Sequence, residues 1–339
     1  MKAARESVGS MQDAGVKRAA VSVTAPAWLA GGALVQAHEH ELSAVRWVES
    51  NRAWLLAALQ ERGAVVLRGF EVLSVEDFED IATIAGDEEK PQPYENRSTP
   101  RSRVKGNIFT SSEYPAYEAI TLHNENSYST QWPGVILFLC QQAALSGGET
   151  PIADSRRVYL SIPVATRSLF ESKGITYLRN YGKVGLSWEE TFQTTSKTEV
   201  ENYCSRHAIE WRWDQGGGLH TRQTLPAMRH HPVTGEAVWF NQAHLFHISN
   251  LGSMGSHLLN TLGSDGVPRD ALFGDGSEIP VSLLDDIRAI YENHAVLLKW
   301  RANDLVVLDN MLWAHGRRPF TGARRVIVAM TKMMRGRTI

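Results

Sequence analysis

The sequence contains only two cysteines in 339 residues, which excludes a disulfide framework. Cys140 ends an apolar run and Cys204 lies in a predicted helix, so we expect both to be reduced thiols in or near the core. An excess of one charge is also missing, since 35 basic and 37 acidic side chains leave a formal net charge of -2. The composition therefore indicates no nucleic-acid partner and no partner bound through a charged tail.

Long hydrophobic runs are absent as well. No stretch reaches the roughly eighteen apolar residues that a membrane helix needs. The N-terminal segment contains Glu6 and Asp13 and has no apolar stretch of the secretory type. We therefore predict a disordered tail over residues 1–25, a single domain over residues 26–339, and a cytoplasmic location without membrane attachment.

Internal repeats and a regular alternation of strands and helices are missing too, which argues against a doubly wound sheet. Helices are predicted from residue 45 to Gly63, after a Ser74 N-cap, and over residues 282–300. Short apolar strands are predicted at 64–70, at 134–140 and near the C-terminus. This pattern predicts an α+β fold with a double-stranded β-helix (jelly-roll) core and flanking helices.

His123 and Glu125 occur in the polar segment LHNENSYS, just before the apolar strand at 134–140. In an extended chain, residues i and i+2 point to the same side, so an imidazole and a carboxylate would meet at one point. That pair is half of a metal site. The alternative is a polar loop that leads into a buried strand.

The remaining ligand has to come from elsewhere among twelve histidines. Most have a simpler interpretation. The run His38–His40 lacks the metalloprotease spacing, and His244 and His247 are interpreted as structural. His230 and His231 are predicted in a loop, and His294 is predicted in a helix. His315 follows a strand that ends in Asp309-Asn310, far downstream of the first pair. We predict His315 as the third ligand.

Two histidines and one carboxylate on one face of a metal leave coordination positions open, which suits oxygen-activating Fe(II). A closed structural zinc site would use thiolates, and the two cysteines are badly placed for it. The open positions would take dioxygen and a 2-oxo acid, whose distal carboxylate requires an arginine. Arg324 and Arg325 open the last strand, and only one of them can face the barrel interior.

These residues resemble the TauD/TfdA (taurine dioxygenase) family of Fe(II)/2-oxoglutarate-dependent oxygenases, and within it the amino-acid and syringomycin-type biosynthetic hydroxylases. The resemblance covers about residues 60–335. It is carried by four segments in order: LHNENSYS, GGETPIADSRRVY, VWFNQAHLFHISNL, and W-x3-D-L-V-V-L-D-N-x4-H-G followed by two arginines.

The resemblance implies that His123, Glu125 and His315 bind iron and are the catalytic centre. It also implies that Thr150 and Arg325 hold the distal carboxylate of 2-oxoglutarate, with Arg324 as the alternative. Ala329 stands where taurine dioxygenase has its sulfonate-binding arginine, which argues against an alkylsulfonate substrate. Glu125 fills the position that halogenating relatives leave open for chloride, which argues against halogenation.

The implied activity is hydroxylation of an unactivated C–H bond in a small polar substrate, an amino acid that is free or tethered to a carrier protein, in natural product biosynthesis. Asn124, Asn126 and Ser127 are the candidate substrate-binding residues, with hydrogen bonding inside their own loop as the alternative. Desaturation or cyclisation, a non-catalytic jelly-roll binding protein and a zinc hydrolase are the competing hypotheses. The sequence leaves the oligomeric state open, a homo-oligomer included.

Overall fold

A computed structural model describes residues 20–39, 41–71, 74–94, 96–182 and 184–338. The helices in these ranges are α1 (Ala44–Ser50), α2 (Arg52–Arg62), α3 (Val75–Ala85), α4 (Ser155–Ser161), α5 (Val164–Lys173), α6 (Trp188–Phe192), α7 (Lys197–Arg206), α8 (Ala243–Phe246), α9 (Gly252–Leu262) and α10 (Val281–Asn293). The strands of the first half are β1 (Val21–Thr24), β2 (Ala33–Ala37), β3 (Ala64–Arg68), β4 (Arg103–Lys105), β5 (Ile108–Thr110), β6 (Ile120–His123), β7 (Gln131–Gln142), β8 (Ser146–Gly147), β9 (Thr150–Asp154) and β10 (Ile175–Tyr181). Those of the second half are β11 (Glu210–Trp213), β12 (Leu219–Leu225), β13 (Met228–His230), β14 (Ala237–Trp239), β15 (Arg269–Phe273), β16 (Val296–Leu298), β17 (Leu305–Asp309), β18 (Trp313–Arg317), β19 (Phe320–Thr321) and β20 (Arg325–Arg335).

Two sheets face each other and enclose the first core. The large sheet has the order β1-β2-β3-β17-β7-β20-β5-β4, and the small sheet has the order β16-β9-β18-β6. Within them only β2 and β3 run parallel. Apolar side chains from both sheets pack in one cluster, among them Phe138 of β7, Ile152 of β9 and Trp313 of β18. The jelly-roll core predicted from the sequence is confirmed.

The outer faces of both sheets are covered. Helices α1, α2 and α3 pack on the large sheet through a second cluster that includes Leu55 and Phe78. A third cluster covers the small sheet and contains Leu122 of β6 together with residues of α4, α5, α8 and α10. A further four-stranded sheet, ordered β11-β12-β10-β15, adds to this layer. The central strands of the small sheet are therefore buried on both sides.

Several local predictions hold. Ser74 caps α3, with its Oγ accepting from the Asp77 amide at 3.0 Å. Cys140 and Cys204 are free and buried. In the described ranges, no helix combines the length and the apolar character needed to cross a bilayer.

Three boundaries differ from the sequence predictions. The tail was predicted over residues 1–25; residues 1–19 lie outside the described ranges, and the rest of it includes β1, which pairs with β2. The first predicted helix is divided at Asn51, whose non-helical φ of -120° separates α1 from α2. The helix predicted over 282–300 ends at Asn293, because the following apolar residues form β16 beside β9.

Candidate functional site

His123 and His315 lie directly opposite each other in the antiparallel pair of β6 and β18. Opposed residues project to the same side of a sheet, and Trp313, two residues before His315, is part of the core between the sheets. The two imidazole rings are 4.7 Å apart between centroids. Both histidines are therefore held on the inner face of the small sheet.

Glu125 joins them from the turn that follows β6. One candidate ligand atom from each of His123, Glu125 and His315 can be chosen such that all lie within 4.8 Å of one another. The three residues are buried, and Glu125 is only 2% exposed. The three ligands predicted from the sequence thus converge at one point that is closed to bulk solvent.

The protonation pattern of the cluster suits a cation. Nδ1 of His123 lies 2.8 Å from the Thr121 carbonyl oxygen, and since a carbonyl only accepts, Nδ1 carries the proton and Nε2 keeps its lone pair. Burial, together with the neighbouring His315, lowers the pKa of His123 to about 3, so this imidazole is neutral. Nε2 of His315 lies 3.7 Å from Oε2 of Glu125, and Nδ1 of His315 is buried without a hydrogen-bond partner.

Glu125 is held as a carboxylate by two residues that sequence reasoning missed. Arg101 donates to Oε2 at 2.6 Å, and the Tyr94 hydroxyl donates to Oε1 at 3.1 Å. Burial raises the pKa of Glu125, but the charge of Arg101 and the nearby imidazoles outweigh it and hold the pKa well below its usual range. Both residues lie in the loop-like region between residues 90 and 120, where no local pattern marks them.

Asn310, directly after β17, fixes the backbone of the ligand turn. Its Oδ1 accepts from the Glu125 amide at 2.7 Å, and its Nδ2 donates to the carbonyls of Glu125 and Pro133 at 2.9 Å each. The preceding residue, Asp309, accepts from the amides of Met311 and Leu312 and so shapes the turn into β18. The Asp309-Asn310 pair at the strand end is the sequence signal for this turn.

Thr150, the first residue of β9, lies on the same inner face as the histidines. Ile152 is opposite His315. Thr150 lies two residues before Ile152, and alternate residues of a strand project to the same face. The Thr150 Oγ1 accepts from Nε1 of Trp300 at 3.0 Å, which leaves its own hydrogen free to be donated. Thr150 is thus available to a ligand oxygen beside the metal-ligand cluster.

The structure reverses the order of preference between the two arginines. Arg325 is exposed, whereas Arg324 is half-buried and donates to the Gly148 carbonyl at 3.1 Å, two residues before Thr150. A register shift between Arg325 and Val326 displaces the alternation at the start of β20, which the sequence does not reveal. Arg324 therefore replaces Arg325 as the candidate anchor.

The charge of Arg324 is not balanced by an acidic side chain within ion-pair distance in the described part of the chain. Its guanidinium lies over the Phe320 ring, 5.6 Å from the centroid, and its Nη1 is 3.4 Å from the Ser111 hydroxyl. Burial, with a contribution from Arg317, lowers the pKa of Arg324 to about 10. A buried cation without an anionic partner is costly, so this position fits the distal carboxylate of a 2-oxo acid.

The predicted substrate-binding residues have hydrogen-bond partners within the protein. Asn124 is fully buried and donates to the Ser155 hydroxyl at 3.0 Å and to the Asn310 carbonyl at 2.6 Å. Ser127 donates to the Asn124 carbonyl. Asn126 has φ +54° and accepts from the hydroxyl of Tyr128. Ser127 and Asn126 thus bond within their own loop, the alternative given above, whereas Asn124 bonds to Ser155 and Asn310 outside it.

Three of the other histidines have structural partners outside the cluster. His244 is bonded to the Leu122 carbonyl, His247 to Ser249, and His231 to Asp309. His40 lies outside the described residues, so the His38–His40 run is described only in part. No second group of three metal-binding side chains occurs in the described ranges.

Residues 29–331 match the family described as "Taurine catabolism dioxygenase TauD, TfdA family". The chain therefore belongs to this family and is an Fe(II)- and 2-oxoglutarate-dependent oxygenase, which also uses dioxygen. The described side chains fit both cofactors, since a His-Glu-His cluster is formed and an unbalanced arginine lies beside Thr150.

Two curated relatives and one solved structure are similar to the chain. The dapdiamide synthesis protein DdaC of Enterobacter agglomerans is 44% identical over 80% of this chain and 83% of its own. The clavaminate synthase-like protein At3g21360 of Arabidopsis thaliana is 31% identical over 84% of this chain and 86% of its own. PvcB, described as an Fe, alpha-ketoglutarate dependent oxygenase from an isonitrile synthetic pathway, superposes with a TM-score of 0.55 at 15% identity, covering 95% of this chain and 99% of its own.

Proposed function

We propose that His123, Glu125 and His315 bind Fe(II), that Arg324 and Thr150 bind 2-oxoglutarate, and that the enzyme hydroxylates an unactivated C–H bond of a small polar substrate. The observation that carries this proposal is the convergence of three metal ligands at one point, together with an unbalanced cation, Arg324, that is bonded two residues before Thr150. A zinc hydrolase would leave Arg324 and Thr150 without a task, and a non-catalytic binding protein would need neither set.

The substrate class proposed is an amino acid, free or carrier-tethered, in specialised metabolism. It is supported by the relative whose name refers to dapdiamide synthesis. With Arg324 as the anchor, the residue four positions on is Val328, which is buried in the core between the sheets. Ala329, the position considered from the sequence, is also buried and apolar. At either position a buried apolar side chain replaces the sulfonate-binding arginine, which argues against a sulfonate substrate.

The described side chains would have separate tasks. When bound, Fe(II) and 2-oxoglutarate supply the oxidation, in which 2-oxoglutarate and dioxygen yield succinate, CO2 and one oxygen atom for the substrate. Arg101 and Tyr94 orient Glu125 and keep it ionised. Asn310 fixes the turn on which Glu125 lies. Burial of the cluster excludes bulk water.

The test is anaerobic addition of Fe(II) and 2-oxoglutarate to the purified protein. The chelate should give a weak visible charge-transfer band, and the His315→Ala variant should lack both the band and succinate formation while remaining folded. His257→Ala, an exposed position on α9, is the matched control and should behave as wild type. Absence of the band from the wild type would refute the proposal.

A further inference from the structure

Two arginines face each other in the sheet that covers the site. Arg179 of β10 and Arg269 of β15 are directly opposed in the antiparallel pair. Like charges in this position repel each other and destabilise a sheet. No acidic side chain in the described ranges forms an ion pair with either of them. The two opposed guanidinium groups are thus electrostatically unfavourable, which suggests that the pair has a function outside the sheet itself.

Arg179 is bonded to the protein through both of its terminal nitrogens. Its guanidinium donates to Oδ1 of Asn96 at 2.5 Å and to the Arg97 carbonyl, and it is 9% exposed. These bonds hold residues 96 and 97, which lie just before Arg101, the ion-pair partner of Glu125. Arg179 therefore supplies a buried positive charge, while the N–H groups that face residues 96 and 97 are already occupied.

Arg269 is different, because no hydrogen-bond acceptor in the described part of the chain contacts its guanidinium. The group is half-buried and stacks on the Phe246 ring, 5.3 Å from the centroid. Asp270, the next residue, is directed elsewhere and accepts from the amides of Ile248 and Ala271. Burial lowers the pKa of Arg269 and the opposed Arg179 lowers it further, whereas Tyr114 and Tyr128 act in the opposite direction.

Aromatic contacts connect this pair to the metal ligands. The Phe246 ring packs on Tyr128 at 4.9 Å between centroids, and Tyr128 is part of the same loop as Glu125. The guanidinium of Arg179 lies 5.5 Å from the centre of the Tyr128 ring. Arg179 therefore contacts Tyr128 directly, and Arg269 reaches it through Phe246, where the ligand loop meets the covering sheet.

We propose that Arg269, supported by the charge of Arg179, binds a carboxylate of the substrate that is oxidised. The substrate would then be a small amino acid or amide with a free carboxylate, because a carboxylate matches the planar guanidinium with two parallel charge-assisted hydrogen bonds. This proposal rests on the proposed function, since it assigns a second anion besides 2-oxoglutarate. A substrate joined to a carrier through this same carboxylate would not fit.

The test first fills the co-substrate site, so that it cannot compete. Protein is loaded with Zn(II), which is diamagnetic and leaves nearby NMR signals sharp, and with N-oxalylglycine, which has the two carboxylates of 2-oxoglutarate; acetate is then titrated as the probe. Binding is followed by the arginine Nε–Hε NMR signals, and the signal of Arg269 is assigned by its loss in Arg269→Gln. Failure of the loading step would count against the proposed function and is seen before acetate is added.

In loaded wild-type protein the Arg269 signal should shift saturably with acetate. Arg269→Gln should weaken acetate binding at least ten-fold, measured on the Arg179 signal, and Arg269→Lys should retain part of it. The control is Arg222→Gln, an exposed arginine on β12 of the same sheet, which should leave the titration unchanged. Equal acetate responses in wild type and Arg269→Gln would overturn the proposal. So would inorganic phosphate binding ten-fold more tightly than acetate, since that indicates a phosphate subsite.

Discussion

Arg101 and Glu125 form an almost fully buried ion pair, with Nη2 and Oε2 2.6 Å apart and the side chains 3% and 2% exposed. Removing one partner of such a pair leaves an unpaired buried charge, which costs about 3–5 kcal/mol. A divalent metal on Glu125 would supply positive charge in its place.

We therefore predict that Arg101→Met lowers the free energy of unfolding of the metal-free protein by about 3 kcal/mol. Saturating Mn(II) should restore part of this loss. Urea unfolding of both variants with and without Mn(II) measures it. The control Arg52→Met removes an exposed ion pair with Asp87 and should cost at most about 1 kcal/mol. An identical loss with and without metal would contradict the assignment of Glu125 as a ligand.

Asn310→Ala should weaken metal binding while leaving all three ligands in place. The substitution removes the bonds that fix the backbone of Glu125 and leaves buried groups unpaired. Loss of such a supporting contact typically costs about 10- to 100-fold in metal affinity. Mn(II) titration followed by EPR checks it. Asn107→Ala, which loses one bond to the Pro91 carbonyl, should bind Mn(II) like wild type.

The two adjacent arginines should differ sharply in 2-oxoglutarate binding. Arg324→Gln removes a charge-assisted pair of about 1.5–3 kcal/mol, equivalent to a roughly 10- to 150-fold higher Kd. Arg325→Gln alters an exposed side chain and should change Kd less than two-fold. Anaerobic titration of the Fe(II) protein at the visible band gives both values. The opposite ranking would restore Arg325 as the anchor.

His244 should make stability dependent on pH. Burial lowers its pKa to about 4, whereas an unfolded histidine has a pKa of about 6.5. Between these values the unfolded chain binds more protons, so the free energy of unfolding falls as the pH drops through this window, by at most about 1.4 kcal/mol per pH unit. His244→Gln, compared with the exposed His257→Gln, should reduce this slope in urea unfolding of metal-free protein from pH 6.5 to 4.5. An unchanged slope would show that His244 does not contribute.

The metal ligands could be predicted because their signals are local. His123 and Glu125 are two positions apart, and His315 follows a recognisable strand end. The choice between Arg324 and Arg325 could not be made, since a register shift at the start of β20 decides it. A bulge of this kind depends on the neighbouring strand, and no propensity of the residues themselves predicts it.

The contacts of residues in irregular loops could not be predicted from the sequence either. Arg101 and Tyr94 reach Glu125 from an irregular segment whose path depends on tertiary contacts. Asn124, although it is adjacent to the ligands, is engaged by the protein itself because Asn310 and Ser155 accept its two hydrogens. The helix predicted over 282–300 failed for a similar reason, as pairing with β9 overrides the apolar periodicity.

The bond between Asn310 and the Glu125 backbone joins positions that are 185 residues apart in the chain. A growing polypeptide that has not yet produced β17 and β18 lacks both His315 and this clamp. Loading with a transition metal must accordingly follow completion of the last strands, and a truncated or half-synthesised chain would present only a weak two-ligand site. Tight uptake of the ion is thereby restricted to molecules that have finished folding.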